Sequence, residues 1–378
     1  MQPHRLSRFA RHATFSLIAF GSLAVSAPRV AAQYASVLPT PPRTAGGTLA
    51  PRSPGSSDIQ RALDAAYAKY KSLKEGKNAD YIPALAKVDP NLFGIALVTA
   101  DGQLFVVGDT ATEVSIQSIS KVFTLARVLQ DSGDAAVVRN IGVDATGMPF
   151  NSIIAIEQKK GAEQNPFVNP GAITATSMVG GTSATDIWQR ILDTYDGFAG
   201  RKLRVLDDVY QSEAATNQRN RAIAALMYAY GHISGNPEQA TDIYTRQCSV
   251  GVNARDLAIM AATLANNGVN PISKQQMLSP RHVPGLLAVM STAGLYDDSG
   301  QWLFKTGLPA KSGVGGGLIA VSPGNWGIAV ISPPLDEAGN SVRAQRAIAD
   351  ISAALGGNPY AVVRTGTAAG QVVPPPHD

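Results

Sequence analysis

The sequence predicts an α+β domain. One antiparallel sheet is assembled from strands near both ends of the chain and flanked by helices, with a helical subdomain between. Three observations predict it. Strand-like runs broken by turn signals occur at residues 93–107 and again at 318–331. The stretch between them, about residues 134–294, is mainly helical in its apolar spacing. One amphipathic helix precedes the first strand pair and another follows the second.

Each element has a local cause. Ser57 or Asp58 can cap a helix whose apolar stripe is Ile59, Leu63, Ala66, Tyr67 and Tyr70. Residues 93–99 read as a strand, Asp101-Gly102 as a hairpin turn, and residues 103–107 as its return. A helix is expected over 118–130, stopped near Gly133. Helical segments follow at 184–195, 218–230, 238–246 and 254–266. Residues 318–321 and 326–331 form a second hairpin around Pro323-Gly324-Asn325, and residues 342–355 close with a helix. No internal repeat is present.

The ends of the chain read differently. Arg5, Arg8 and Arg11 precede an apolar run at residues 14–25, and Val25-Ser26-Ala27 or Val30-Ala31-Ala32 offers a cleavage site. Residues 1–27 are therefore expected to be a secretory signal, cut possibly as late as residue 32. This implies export to the periplasm or the medium, without stable membrane insertion after processing; the alternative is an uncleaved anchor. No two arginines are adjacent there, so the twin-arginine route is unsupported. Residues 33–57 and 365–378 read as a disordered linker and tail, which leaves residues 58–364 as the folded domain.

Composition narrows the function. Of 378 residues 45% are hydrophobic, enough for a packed core. The net charge of +4 falls to +1 without residues 1–27, and no basic run with interleaved aromatics follows, so nucleic acid is set aside. One cysteine, Cys248, allows no intrachain disulfide and no cysteine-rich zinc site. It reads as a small core residue. Only His232 and His282 lie in the domain, and both read as structural. The patterns of α/β-hydrolases (Gly-x-Ser-x-Gly) and zinc proteases (His-Glu-x-x-His) are absent. Neither a metal nor an organic cofactor is expected.

Ser118-Ile119-Ser120-Lys121 is the chain's one Ser-x-x-Lys. Residues i and i+3 share a helix face, so a lysine deprived of its charge can take the serine proton. Lys311-Ser312-Gly313, followed by four more residues rich in glycine, leads into the second hairpin. Penicillin-recognising acyl enzymes pair a Ser-x-x-Lys helix with a Lys-Thr-Gly strand edge. Their Ser-Asp-Asn motif is missing here, and so is a Tyr-x-Asn.

The chain resembles the serine-dependent glutaminases. The matching strings are Tyr81-Ile82-Pro83, Gln117-Ser118-Ile119-Ser120-Lys121, Asn165-Pro166-Phe167-Val168-Asn169, and Gln211-Ser212-Glu213 with Arg219-Asn220. Two more follow in order: Tyr296-Asp297-Asp298-Ser299-Gly300-Gln301 and Leu308-Pro309-Ala310-Lys311-Ser312-Gly313-Val314. Together they span about residues 81–356. The resemblance implies a β-lactamase/transpeptidase-like fold and hydrolysis of L-glutamine to L-glutamate and ammonia. It implies Ser118 as nucleophile and Lys121 as its base, with the N–H groups of Ser118 and Val314 as the oxyanion hole. Tyr296 would lie beside the nucleophile and Tyr244 would assist proton transfer. Tyr81, Gln117, Asn169, Glu213 and Asn220 would bind the amino-acid end. It also implies a homodimer or homotetramer. The alternatives are a β-lactamase or D,D-peptidase relative and an inactive amino-acid-binding relative. One departure bears on the site. Pro170 stands where the family commonly has alanine, so the loop carrying Asn169 is expected to differ locally.

Overall fold

The computed structural model describes residues 54–361. The leader, most of the linker and the tail lie outside the described residues. Five antiparallel strands form the main sheet: β1 (Gly94–Thr99), β2 (Leu104–Gly108), β5 (Ala310–Gly313), β6 (Gly317–Ser322) and β7 (Trp326–Ile331). Their order is β2-β1-β7-β6-β5. Strands from both ends of the chain meet at the centre, where β1 pairs with β7 and Leu97 faces Ile328.

Side-chain alternation divides the sheet between two cores. Ile95, Leu97, Leu318, Ala320, Ile328 and Val330 face the terminal helices Ser56–Tyr70 and Val342–Leu355, which bring Leu63, Ile348 and Ile351. Ala96, Val98, Ile319, Val321, Ala329 and Ile331 face the other way, into a core with the alanine-rich helix Ala254–Ala265. That helix belongs to the sheet layer. The inserted segment therefore supplies one covering helix as well as a subdomain, in addition to the terminal helices expected to flank the sheet. The first helix also starts differently from the expected cap. Asp58 sits in its first turn and accepts from the Gly55 N–H at 3.0 Å.

Two features position the site. β5 is an edge strand, paired only with β6, and its free side lies against the turn Gln117–Ile119. A small second sheet joins β3 (Val114–Ser115) to β4 (Gly251–Val252). It ties the chain entering that turn to the segment leaving the Pro237–Cys248 helix. Among the described residues no helix is long and apolar enough to cross a membrane.

Candidate active site

Ser118 lies in a 3-10 turn, Gln117–Ile119, that continues into the helix Ser120–Ser132. The i, i+3 pattern placed it on the α-helix itself; one tighter turn comes first. Gln117 enters that turn with a left-handed backbone, φ +49°. The Ile116 N–H donates to Val250 O at 2.8 Å and holds the turn from its N-terminal side.

Lys121 is buried. Its Nζ donates to Asn169 Oδ1 at 2.8 Å and to Phe167 O at 3.2 Å. Burial lowers its pKa to about 8, against the smaller opposing pull of Cys248 and Glu213. Two acceptors match the two N–H bonds of a neutral amine. They leave its lone pair for Ser118, one turn away on the same face. No direct Lys121–Ser118 hydrogen bond is formed among the described residues, a contact that catalytic pairs often close only around substrate.

Asn169 is a junction. Its Oδ1 accepts from Lys121 and from the Tyr244 hydroxyl (3.1 Å), and its Nδ2 donates to Asn220 Oδ1 at 2.9 Å. It begins the helix Asn169–Met178, so Pro170 falls in the first turn. There a missing N–H leaves no helical hydrogen bond unmade, and proline is at home. The proline thus fits a helix start, and the local departure expected of it reduces to that.

Gly171 explains why this helix can begin so close to the preceding loop. A methyl group on it would lie 2.0 Å from Asn165 O. The same loop supplies Phe167 O to Lys121. Gly171→Ala should therefore cost about 1–3 kcal/mol through overpacking. It should also lower kcat/KM by at least about tenfold, because Lys121 and Asn169 move with the loop. Unchanged thermal unfolding and kinetics would show that the loop yields freely.

A cavity of about 290 Å³ gathers Tyr81, Gln117, Ser118, Asn169, Glu213, Asn220, Tyr244 and Val314, eight of the ten residues singled out from the sequence. Lys121 sits behind its wall, bonded to Asn169. Tyr296 stands beside it, with its ring 4.8 Å from that of Phe150, which lines the cavity. Glu213 is buried and accepts from Gln117 Nε2 at 3.3 Å. Burial raises its pKa to about 7, with Gln117 and Lys121 opposing. Tyr81 is exposed at the cavity mouth.

The Tyr296 hydroxyl is buried without a hydrogen bond of its own, facing Ser118 and Ser312. Burial pushes its pKa up to about 12. Lys311, fully buried on β5, lies 4.2 Å from the centre of the Tyr296 ring and donates to Gly294 O and Ser312 O, each at 2.8 Å. β5 also brings its glycine close to Ser118. A methyl group on Gly313 would lie 3.3 Å from Ser118 N, and Val314 follows directly. Two backbone N–H groups at this junction suit a developing oxyanion.

The sequence missed Ile82, Phe150, Asn151, Thr216, Asn217 and Arg219 as cavity residues. Arg219 stood in a matched string, and its Nε donates to Asn151 O at 2.9 Å. Ile82 stood in another, Tyr81-Ile82-Pro83, and nothing local marked the remaining four. Cys248 is buried as expected, yet it also lines the cavity. Burial raises its pKa, which keeps it a thiol. His232 contacts Asn140 O, and His282 contacts Asp134. Both lie away from the cavity residues. Among the described residues no cluster of three or more His, Cys, Asp or Glu side chains could hold a metal ion.

Comparison with known proteins gives one answer. The family model described as Glutaminase matches residues 76–360. A glutaminase of Colwellia psychrerythraea (strain 34H / ATCC BAA-681) is 53% identical over 307 residues, covering 81% of this chain and 99% of its own. The structure of the probable glutaminase ybaS superposes with a TM-score of 0.80 at 47% identity, over 82% of this chain and 100% of the other. That of Mglu in its glutamate form gives 0.76 at 36% identity, over 81% and 71%. The α+β fold shared with these structures is the β-lactamase-like fold that the resemblance implied. This chain belongs to the glutaminase family.

Proposed function

We propose that this glutaminase, an amidohydrolase acting on L-glutamine, works through a glutamyl ester on Ser118 with Lys121 as the base. The observation that carries this reading is the buried Lys121, whose two acceptors suit a neutral amine one helical turn from Ser118. Ser118 Oγ attacks the side-chain carbonyl carbon and its proton passes to Lys121. The N–H groups of Ser118 and Val314 hold the oxyanion. The C–N bond then breaks and ammonia departs with that proton, Tyr244 and Tyr296 assisting. Water adds to the ester, giving its proton to Lys121, which returns it to Ser118 as glutamate leaves. At the other end of the substrate, Glu213, held by Gln117, suits the α-ammonium group, and Asn169, Asn220 and the Tyr81 hydroxyl suit the α-carboxylate. The glutamate form of the related Mglu supports such a pocket. Acid quenching during turnover, followed by peptide mass mapping, tests the intermediate. A glutamyl increment on the Ser118 peptide is expected, and an unmodified peptide under steady turnover would remove the covalent step.

The pH dependence follows. Glu213 loses its proton as pH rises through about 7, and Lys121 as it rises through about 8. Below both values the site lacks a base and lacks a carboxylate for the α-ammonium group. kcat/KM should therefore climb between about pH 6 and about pH 9, with limbs that belong to the interacting pair. A flat profile across that window would contradict the assignment.

Three further readings complete the proposal. The element pattern supports a folded domain over about residues 58–364, which the helix Ser56–Tyr70 extends at its N-terminal edge. The basic and apolar pattern of residues 1–27 supports export and cleavage at or before residue 32. N-terminal sequencing of secreted protein tests this. The resemblance to glutaminases supports a homodimer or homotetramer, tested by light scattering.

A further inference from the structure

One side chain connects the amino-acid end of the pocket to the nucleophile. Gln117 directly precedes Ser118, and its left-handed backbone (φ +49°) is one a non-glycine residue keeps only where its surroundings over-determine it. Its Nε2 donates to Glu213 Oε2 at 3.3 Å and to Ser115 Oγ at 3.2 Å. Gly315, in the turn that carries Val314, packs on the same residue. A methyl group there would lie 3.3 Å from Gln117 Cγ and 2.5 Å from Ser115 O. Gln117 thus touches the carboxylate proposed for the α-ammonium group, while its backbone leads into Ser118 and its side chain meets Gly315, the residue after Val314.

We infer that Gln117 is a positioning residue: it transmits capture of the α-ammonium group by Glu213 to the strained backbone before Ser118, so the ammonium raises turnover and not only affinity. This rests on the roles of Ser118 and Glu213 proposed above. Without a cation beside it, Glu213 is partly protonated near pH 7, because burial raises its pKa to about 7; facing an ammonium it keeps its full charge, and a charged acceptor binds an amide N–H about twice as strongly as a neutral one. The bound amino acid therefore tightens the Gln117 side chain. The side chain in turn locks the turn that aims the Ser118 Oγ and N–H. An amide lacking the ammonium enters the same cavity but leaves the turn loose. Discrimination then falls on the chemical step, where binding energy is used to assemble the site.

The test compares L-glutamine with 4-carbamoylbutanoate, which differs only by lacking the α-amino group. Full-length wild type, Gln117→Leu and Gln117→Asn are measured at saturating substrate, with ammonia and mass detection over long incubations. In the wild type kcat for glutamine should exceed that for the analogue by about 100-fold, the cost of a misplaced reacting group. Gln117→Leu should lose most of that factor on glutamine and under about threefold on the analogue, so that the kcat ratio falls below about ten while the KM difference persists. Gln117→Asn tolerates the left-handed backbone but cannot reach Glu213, and it should behave alike even if the leucine variant folds poorly. Equal losses on both substrates would overturn the inference. So would glutamine turnover without analogue turnover in the variants. Ser118→Ala is run alongside: activity in that variant would remove the nucleophile, whereas an unchanged substrate ratio would remove only the link through Gln117.

Discussion

Ser118→Ala should reduce glutamine turnover by a factor of about 10⁵–10⁶, the scale seen when the nucleophile of a serine hydrolase is deleted. The change removes one oxygen from a buried turn whose shape is set elsewhere, by the Ile116–Val250 hydrogen bond and by β5 packed on its face. The hydroxyl of Tyr296 is already without a hydrogen bond, so the loss of Oγ strands no further donor. The unfolding temperature should shift by no more than about 3 °C, corresponding to about 1 kcal/mol. Glutamine should still bind, because Glu213, Asn169 and Asn220 remain. Calorimetric binding without ammonia release would show both halves of the expectation. Turnover within about tenfold of wild type would reject Ser118 as nucleophile.

Lys121→Met carries the second largest effect. Methionine fills nearly the same buried volume but has no proton to take or give. kcat should fall by about 10³–10⁴, near the upper range for loss of a general base. The residual rate should also lose the pH limb near 8 that Lys121 contributes. Stability should change little, since two effects oppose each other. Removing a buried amine relieves its desolvation, while Phe167 O loses its partner at a cost of about 1–3 kcal/mol. Asn169 Oδ1 keeps its hydrogen bond from Tyr244. Lys121→Arg should be equally inactive, because a guanidinium stays charged at every working pH. An arginine variant with substantial turnover would mean that Lys121 acts only as a fixed charge.

The Ser-x-x-Lys pair was legible because it is local: only two residues separate its members, and the helical repeat alone puts them on one face. The hairpins and terminal helices were legible for the same reason, through period-two runs, turn residues and an apolar stripe. The remaining site residues were recognised as an ordered set of strings, not as a place. Gln117 and Glu213 stand 96 positions apart, and Lys121 and Asn169 stand 48 apart. No periodicity joins them. Phe150 and Asn217 left no mark at all, being ordinary residues until the cavity closes around them.

The sequence by itself determined the element order, the sheet built from both ends of the chain, the Ser-x-x-Lys pair, and the likeness to glutaminases. Only the tertiary structure decided which helix covers the second face of the sheet. It alone showed that Pro170 opens a helix, and that Gln117 is held in a left-handed turn against Glu213. It alone supplied the burial that brings Lys121 to about 8 and Glu213 to about 7. The division has a physical cause. Backbone preference and apolar spacing act over a few neighbouring residues and can be read along the chain. Desolvation and packing depend on what distant segments place around a group, and they exist only once the chain has closed.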